Sequence, residues 1–185
     1  MSRFTRIPVD TFDNLQMDAG IMLSSFDPSS PNVQDADIIT ATTGGISISA
    51  VPTYSDMGED VDNCPNGMKE LAHLDDWEIT VSTTALGTSP AAIRLALGAA
   101  DVTAASGKIT PRRDLAQTDF SDIWWVGDKA GGGFVAVKII NALSTGGFAL
   151  QTQKNGKGQI SIELKGHFSM NAQSVVPIEI YSLDA

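Results

Sequence analysis

Strict alternation of apolar and polar residues is the clearest pattern along this chain. Residues 46–50 read Ile-Ser-Ile-Ser-Ala, and residues 77–82 read Trp-Glu-Ile-Thr-Val-Ser. Because successive side chains of a strand point to opposite faces, each stretch predicts a half-buried β-strand. A third such strand is predicted over residues 159–168. Its apolar side chains that share one face are Ile160, Ile162, Leu164 and Phe168.

Shorter apolar runs bounded by turn residues predict the remaining strands. They lie at residues 19–25, 38–43, 122–126, 134–142, 148–154 and 176–182, with a short one around 108–110. One helix is predicted over residues 89–98, where Ser89 can cap, Pro90 starts the first turn and Gly98 suits the exit. This order predicts one domain over residues 1–185 with a mainly β fold. The fold is an antiparallel β-sandwich or barrel with one flanking α-helix.

Between two of the alternating strands the periodicity disappears. Pro52 removes a ladder donor and is expected to end its strand, which leaves residues 53–76 as a long inter-strand loop. Connections in compact domains usually have about 2 to 6 residues, and much longer ones tend to be functional. We therefore expect this loop to be a contact element. Its candidate contact residues are Tyr54, Asp56, Glu59, Asp60, Asp62, Lys69 and Glu70.

The acids of the loop leave two other interpretations open. Clustered carboxylates are ligands that Ca²⁺ prefers, although the spacing does not match an EF-hand. The same acids can simply be a solvated surface. A third interpretation is an interface in which the acids meet bases on a partner, and Lys69 and Glu70 can supply one half of such ion pairs.

Two further segments are candidates for contacts. Residues 1–18 contain Phe4 and Phe12 in no helical or strand period, with Pro8 interrupting, and predict an extended arm. Such an arm lies either on its own domain or on a neighbouring copy. Trp124 and Trp125 are adjacent in a strand, so one ring is expected on each face, either in the core or as an interface anchor.

Charge and composition narrow the function classes. The 185 residues carry a net charge of −10, and residues 1–76 hold 13 acids against 3 bases, which accounts for all of it. Such a field disfavours nucleic-acid binding through a basic patch. No apolar run approaches the roughly 20 residues that a membrane helix needs, and no signal peptide is recognisable, so we expect synthesis in a cytosol.

Signs of catalysis or of a cofactor are missing from the sequence. Cys64 is the single cysteine, and there are two histidines. An ordinary zinc site is therefore not expected. Glycine clusters lie between predicted strands, without the spacing of a phosphate-binding loop. No nucleophile stands near a base at a known spacing, so we expect no enzyme and no cofactor.

Several runs together resemble the major tail protein, or tail tube protein, of long-tailed non-contractile bacteriophages of Gram-positive hosts. They cover residues 10–183 almost throughout and read ATTGGISISAVPTYSDMGEDVDNCPNGMKEL, WEITVSTTAL, AAIRLALGAADV, TPRRDLAQTDFSDIWWVGD and GGFVAVKIINALSTGGFALQTQKNGKGQISIELKGHFSMNAQSVVPIEIYSL. The resemblance implies a β-sandwich with a flanking helix. It also implies that six copies close into a ring, and that rings stack into a hollow tube through which phage DNA leaves.

The family's properties extend to partners. The long loop reaches the next ring, and the terminal arms cross between subunits. Further partners that the resemblance implies are a tape measure protein and the tail terminator and tail-tip proteins. It also implies a place in the virion, assembly in the host cytoplasm and no contact with a membrane. A binding or adhesion β-sandwich module, with a carbohydrate or calcium ligand at the two tryptophans and the acidic loop, is the alternative.

For such a tube, the sequence predicts which residues would line the inner wall and which would join one ring to the next. The polar strand face that would line the lumen consists of Ser47, Ser49, Glu78, Thr80 and Ser82. Arg112, Arg113 and Lys129 are the candidate bases that would meet the acidic loop of an adjacent ring.

Overall fold

A computed structural model describes residues 6–184, and it places ten β-strands and one α-helix in them. In chain order these are β1 (Ile21–Leu23), β2 (Thr42–Asp56), β3 (Ala72–Ala85), α1 (Pro90–Leu97), β4 (Ala100–Thr103), β5 (Lys108–Pro111), β6 (Ser121–Asp128), β7 (Phe134–Ser144), β8 (Leu150–Gln151), β9 (Gln159–Lys165) and β10 (Ile178–Leu183). All strand pairs are antiparallel. The predicted mainly β, antiparallel fold with one helix is confirmed. No helix in this part of the chain has the length and hydropathy to cross a lipid bilayer.

The strands form two layers that share β7. One layer runs β1-β6-β7-β10 and the other runs β2-β3-β9, with β8 on the outer side of β9. β7 pairs with β6 and β10 along its first part, and with β9 only at Leu143 and Ser144. The corner is at Asn141, whose φ is 50°. Its backbone N–H donates to Asp122 Oδ1 at 3.0 Å, so a side chain stabilises the turn between layers.

The main core fills the space between the two layers. Its largest buried side chains come from both sheets: Met22, Ile123 and Ile139 from one, and Ile79, Val81, Ile160, Ile162 and Leu164 from the other. Helix α1 packs on this core through Ala96, and Ser144 Oγ donates to the Ala96 carbonyl at 2.6 Å. The sequence-based helix is confirmed. Ala92 N–H donates to the capping Ser89 Oγ at 3.2 Å, and Gly98 has a φ of 75°.

A smaller apolar cluster covers the outer face of the first layer. Phe26 packs edge-on against Trp124, with ring centroids 5.7 Å apart, and against Phe134 at 5.5 Å. Leu23, Val126 and Ala136 complete it. β6 and β7 of this layer therefore bury both faces, whereas Ile180 of β10 is 65% exposed and β2, β3 and β9 bury one face.

The predicted bounds of the long loop, 53–76, are wrong at both ends. β2 continues through Pro52 to Asp56 and pairs with β3 as far as Asp56 opposite Ala72, so the loop comprises residues 57–71. Proline is tolerated because β2 is an edge strand, with only β3 as a neighbour, and an edge position leaves its missing N–H on the open side. The strand predicted at 38–43 is wrong over residues 38–41, where only Ile38 forms an isolated bridge to Leu23. Its last two residues, Thr42 and Thr43, join the alternating stretch that begins at Ile46 in the single strand β2, with an irregularity between Thr43 and Ile46.

Other segments also differ from expectation. Residues 148–154 supply only the two-residue strand β8. Phe168 was predicted to face the core, yet it is 41% exposed, because β9 ends at Lys165 and the chain leaves the sheet. β4 is an additional strand that forms a separate hairpin with β5.

The extended N-terminal arm is wrong for residues 8–14, which form hydrogen-bonded turns. The following residues lie on their own domain. Met17 N–H donates to the Asp128 carbonyl at 2.8 Å, and Ala130 N–H donates to the Leu15 carbonyl at 2.9 Å. The two alternatives for the arm were its own domain or a neighbouring copy, and residues 15–17 lie on their own domain.

We expect substitutions at the inward-facing positions of β9 to destabilise the protein, and substitutions at its outward-facing positions to have little effect on stability. Ile162→Ala removes a side chain that is fully buried between the layers and should lower the free energy of unfolding by about 2–5 kcal/mol. Ser161→Ala, at the exposed neighbouring position, should change the free energy of unfolding by less than about 0.5 kcal/mol. Urea denaturation measures both, and equal losses would contradict the assignment of the two faces.

Candidate functional site

The paired ends of β2 and β3 extend beyond the rest of the sheet. β9 pairs with β3 only from Thr80 to Ala85, and the Gly166 N–H adds one bond to the Ile79 carbonyl at 3.0 Å. From Glu78 to Ala72, β3 pairs with β2 alone. We call residues 51–78, which include the loop 57–71, the hairpin arm. A two-stranded ribbon is marginally stable by itself in water, so the arm is a segment that gains from a covering surface.

The hairpin arm exposes large apolar side chains. Tyr54 and Leu74 lie directly opposite each other on the paired strands, and they are 64% and 43% exposed. Val51, Met57, Val61 and Met68 are also exposed. Clustered apolar exposure of this kind marks interaction sites. Of these apolar side chains the sequence predicted only Tyr54 as a contact residue, although the methionines and valines stand in the same stretch.

Asp56 organises the loop from within. Its Oδ1 accepts the Gly58 N–H at 2.8 Å and its Oδ2 accepts the Gly67 N–H at 2.7 Å. The Gly67 N–H, followed by the Gly58 N–H, holds the pKa of the Asp56 carboxyl below its usual value. Both ends of the loop are therefore tied to one carboxylate. Of the predicted contact acids, Asp56 has this internal role.

The remaining loop acids point to solvent. Glu59, Asp60 and Asp62 are exposed. Lys69 and Glu70 pair at 3.4 Å with both side chains largely exposed, which contributes little stability. Within residues 6–184 no group of three or more His, Cys, Asp or Glu side chains converges as a metal site would.

The five predicted polar residues lie on one face. Ser47 is directly opposite Ser82, Ser49 is opposite Thr80, and Glu78 continues the row on β3. Since Ile48 and Ala50 on the other face pack against the core, this face of the sheet is the outer one. β9 widens it, because Glu163 pairs with Ser82 and Lys165 Nζ lies 3.0 Å from Glu78 Oε1. We call the outward residues of β2, β3 and β9 the polar face.

Two of the three predicted partner bases are used inside the chain. Arg112 pairs with the buried Asp119 and, at 3.0 Å, with Asp101. The backbone N–H of Ala116 is the main cause that lowers the pKa of Asp119, and Arg112 adds to it. Lys129 is buried, and its Nζ lies 2.8 Å from Asp184 Oδ1. Arg113 is the exposed one of the three.

The predicted aromatic anchors differ from one another in their exposure. Trp124 is 7% exposed within the smaller apolar cluster, with Lys138 Nζ 5.7 Å from its ring. Trp125 packs against the main core, and its Nε1 donates to the Ala19 carbonyl at 3.0 Å. The rings lie on opposite faces as predicted. Trp124 is buried in its own chain, so for this residue the core alternative holds, whereas Trp125 is only partly buried. Phe12 is 63% exposed, and Phe4 lies outside the described residues.

Comparisons with known proteins add a likeness of fold. No family model and no curated protein matches this chain. Among solved structures, a chain from one described as "Virion of native gene transfer agent (GTA) particle" is similar over 82% of this chain and 92% of that chain. The two are 9% identical in sequence and superpose with a TM-score of 0.41.

Asp56→Ala should loosen the loop without unfolding the sandwich. Amide hydrogen exchange at Gly58 and Gly67 should accelerate, because both lose their acceptor, whereas Glu59→Ala should leave those amides protected. In the unmodified protein the same amides should lose protection as the pH falls through the lowered pKa of Asp56. Above the usual carboxyl pKa the interaction is fully present. Unchanged exchange in the Asp56 variant would contradict this role.

Proposed function

We propose that this chain is a structural subunit of a bacteriophage tail tube that assembles with copies of itself and catalyses no reaction. The hairpin arm is the observation that carries the proposal. It projects past the sandwich as an isolated ribbon and exposes Tyr54, Leu74 and the apolar and acidic side chains of its loop. A surface of this composition is expected to be covered, and a neighbouring copy in a stack supplies the cover.

Ring formation is supported by the open edge of β2. This strand has 15 residues and, within residues 6–184, pairs only with β3, so its other side carries backbone groups that this part of the chain leaves unpaired. Proteins seldom leave so long an edge exposed, because it templates aggregation. Pairing it with a sheet of the next copy is a head-to-tail contact, and such contacts close into a ring when the rotation allows. A hexameric ring is the form that the family resemblance implies.

The polar face suits the inner wall of such a ring. It is wide, covers three strands and carries hydroxyls and carboxylates with a single base, Lys165. Fixed Lys and Arg contacts to phosphates are what bind DNA tightly, so a wall poor in bases lets DNA pass. The net charge of −10 acts in the same direction.

The remaining partners follow from the resemblance alone. They are the tape measure protein inside the tube and the terminator and tail-tip proteins at its ends. On this proposal the protein resides in the virion after assembly in the host cytoplasm.

Self-assembly is tested directly with concentrated purified protein. Rings or tubes with a central channel should be visible by negative-stain electron microscopy, and sedimentation should show species far larger than 19.5 kDa. A strict monomer at millimolar concentration would contradict the proposal.

The role of the loop is tested by replacing residues 57–71 with Asn-Gly. Asp56 and Ala72 are directly paired, so a two-residue turn can join them without disturbing the hairpin. The variant should fold, with an unchanged circular dichroism spectrum, and should no longer form tubes.

A matched control shortens a different hairpin. Thr103 and Lys108 are paired in the same way, and residues 104–107 can be replaced by Asn-Gly. This control should still assemble. Tubes formed by the 57–71 replacement would show that the loop has no part in stacking.

A further inference from the structure

The two ends of the second sheet carry opposite charge. β3 and β9 are antiparallel, with Thr80 opposite Lys165 and Ala85 opposite Ile160. The hairpin arm leaves the sheet at the Lys165 end of β9. The connection between β8 and β9, residues 152–158, lies at the other end and contains Lys154 and Lys157 without any acid. We call residues 152–158 the basic turn.

The charges at both ends lack partners within the chain. Seven ion-pair contacts occur among residues 6–184, and none involves Lys154, Lys157 or the loop acids Glu59, Asp60 and Asp62. Both lysines are exposed. Arg112 and Lys129, by contrast, are neutralised by acids of their own chain. The basic turn is thus a cationic surface that is available to a partner.

Apolar side chains accompany the charges at each end. Phe148 and Leu150 precede the basic turn and are 41% and 47% exposed. Met57 and Met68 on the arm loop are 63% and 42% exposed. Contacts that combine apolar burial with complementary charge gain both affinity and a defined orientation. The two ends therefore match in both respects.

The arm loop and the basic turn of one molecule cannot contact each other. The 14 residues of β3 span about 45 Å, and the arm loop and the basic turn lie beyond its opposite ends. Two copies placed head to tail along the strand direction bring one arm loop onto the next basic turn. Because each copy then keeps one unused end, the contact repeats without closing and produces a stack.

We propose that the basic turn of one copy, with Lys154 and Lys157, is the surface that receives the arm loop of a second copy. This inference rests on the proposed tube function and names its receiving surface. The basic turn takes the place of Arg112, Arg113 and Lys129 as the predicted partner of the acidic loop, since Arg112 and Lys129 are paired with acids inside the chain.

A charge-reversal series tests the contact. Lys154→Glu with Lys157→Glu should leave rings intact and reduce tube formation at least tenfold, measured by light scattering and by tube lengths in negative stain. The matched control, Lys108→Glu with Arg113→Glu, changes the net charge equally on exposed bases elsewhere and should form tubes normally. Circular dichroism checks that both variants remain folded. The weaker pair Lys154→Gln with Lys157→Gln should give an intermediate loss.

Rescue distinguishes a direct contact from a general charge effect. Glu59→Lys with Asp60→Lys should block stacking alone and should restore it when combined with Lys154→Glu and Lys157→Glu. Stacking of the unmodified protein should also weaken as salt screens the charges.

The outcomes separate this inference from the proposed function. If the unmodified protein forms neither rings nor tubes, the proposed function fails. If it forms tubes and the Lys154 and Lys157 reversal leaves their amount and length unchanged, the receiving surface is wrong and the proposed function stands. Loss of tubes in the Lys108 and Arg113 control alone would place the receiving surface beside the helix and would likewise overturn the inference.

Discussion

The register of β3 between β2 and β9 is the constraint on which the rest of the structure depends. It places Ile79, Val81 and their neighbours against the first sheet and turns Glu78, Thr80 and Ser82 outward. A slip by one residue would exchange these two sets, exposing the core and burying charge. The same register decides where β9 stops, and therefore where β2 and β3 begin to pair only with each other. The polar face and the hairpin arm are thus two consequences of one pairing.

Apolar surface is divided unevenly between the interior and the exterior. In the first layer β6 and β7 bury both of their faces, with Trp124 and Phe26 on the outer one. The second layer leaves one face polar and sends its longest strands into solvent with Tyr54, Leu74 and two methionines exposed. The stable part of the molecule is therefore the sandwich, and the projecting part has little of its own packing. Such a division is typical of a subunit that completes its packing in an assembly.

Charge shows a parallel division. Where the chain folds on itself, acids and bases meet in specific pairs, as in Arg112 with Asp119 and Lys129 with Asp184. Asp56 is satisfied in another way, by two backbone N–H groups that close the loop. Among the charges without a partner in residues 6–184, the loop acids Glu59, Asp60 and Asp62 lie at one end of the second sheet, and Lys154 and Lys157 lie at the other. Interactions between exposed groups are weak one by one, so the proposed stack depends on many repeated contacts.

The sequence by itself determined the features that depend on neighbouring residues. Alternation predicted which side chains of β2, β3 and β9 share a face, and Ser89, Pro90 and Gly98 predicted the helix nearly to the residue. Only the tertiary structure decided how far β2 continues past Pro52, because a proline is tolerated or excluded according to whether another strand lies beside it. Tertiary structure likewise decided that Trp124 is buried, that Arg112 and Lys129 are neutralised and that Lys154 and Lys157 are not. Each of these depends on partners distant in sequence, such as Asp184 for Lys129, and a local pattern carries no information about them. The sequence predicted a long acidic connection between two strands, yet its length, its exposed apolar side chains and its position opposite the basic turn came from the pairing of strands.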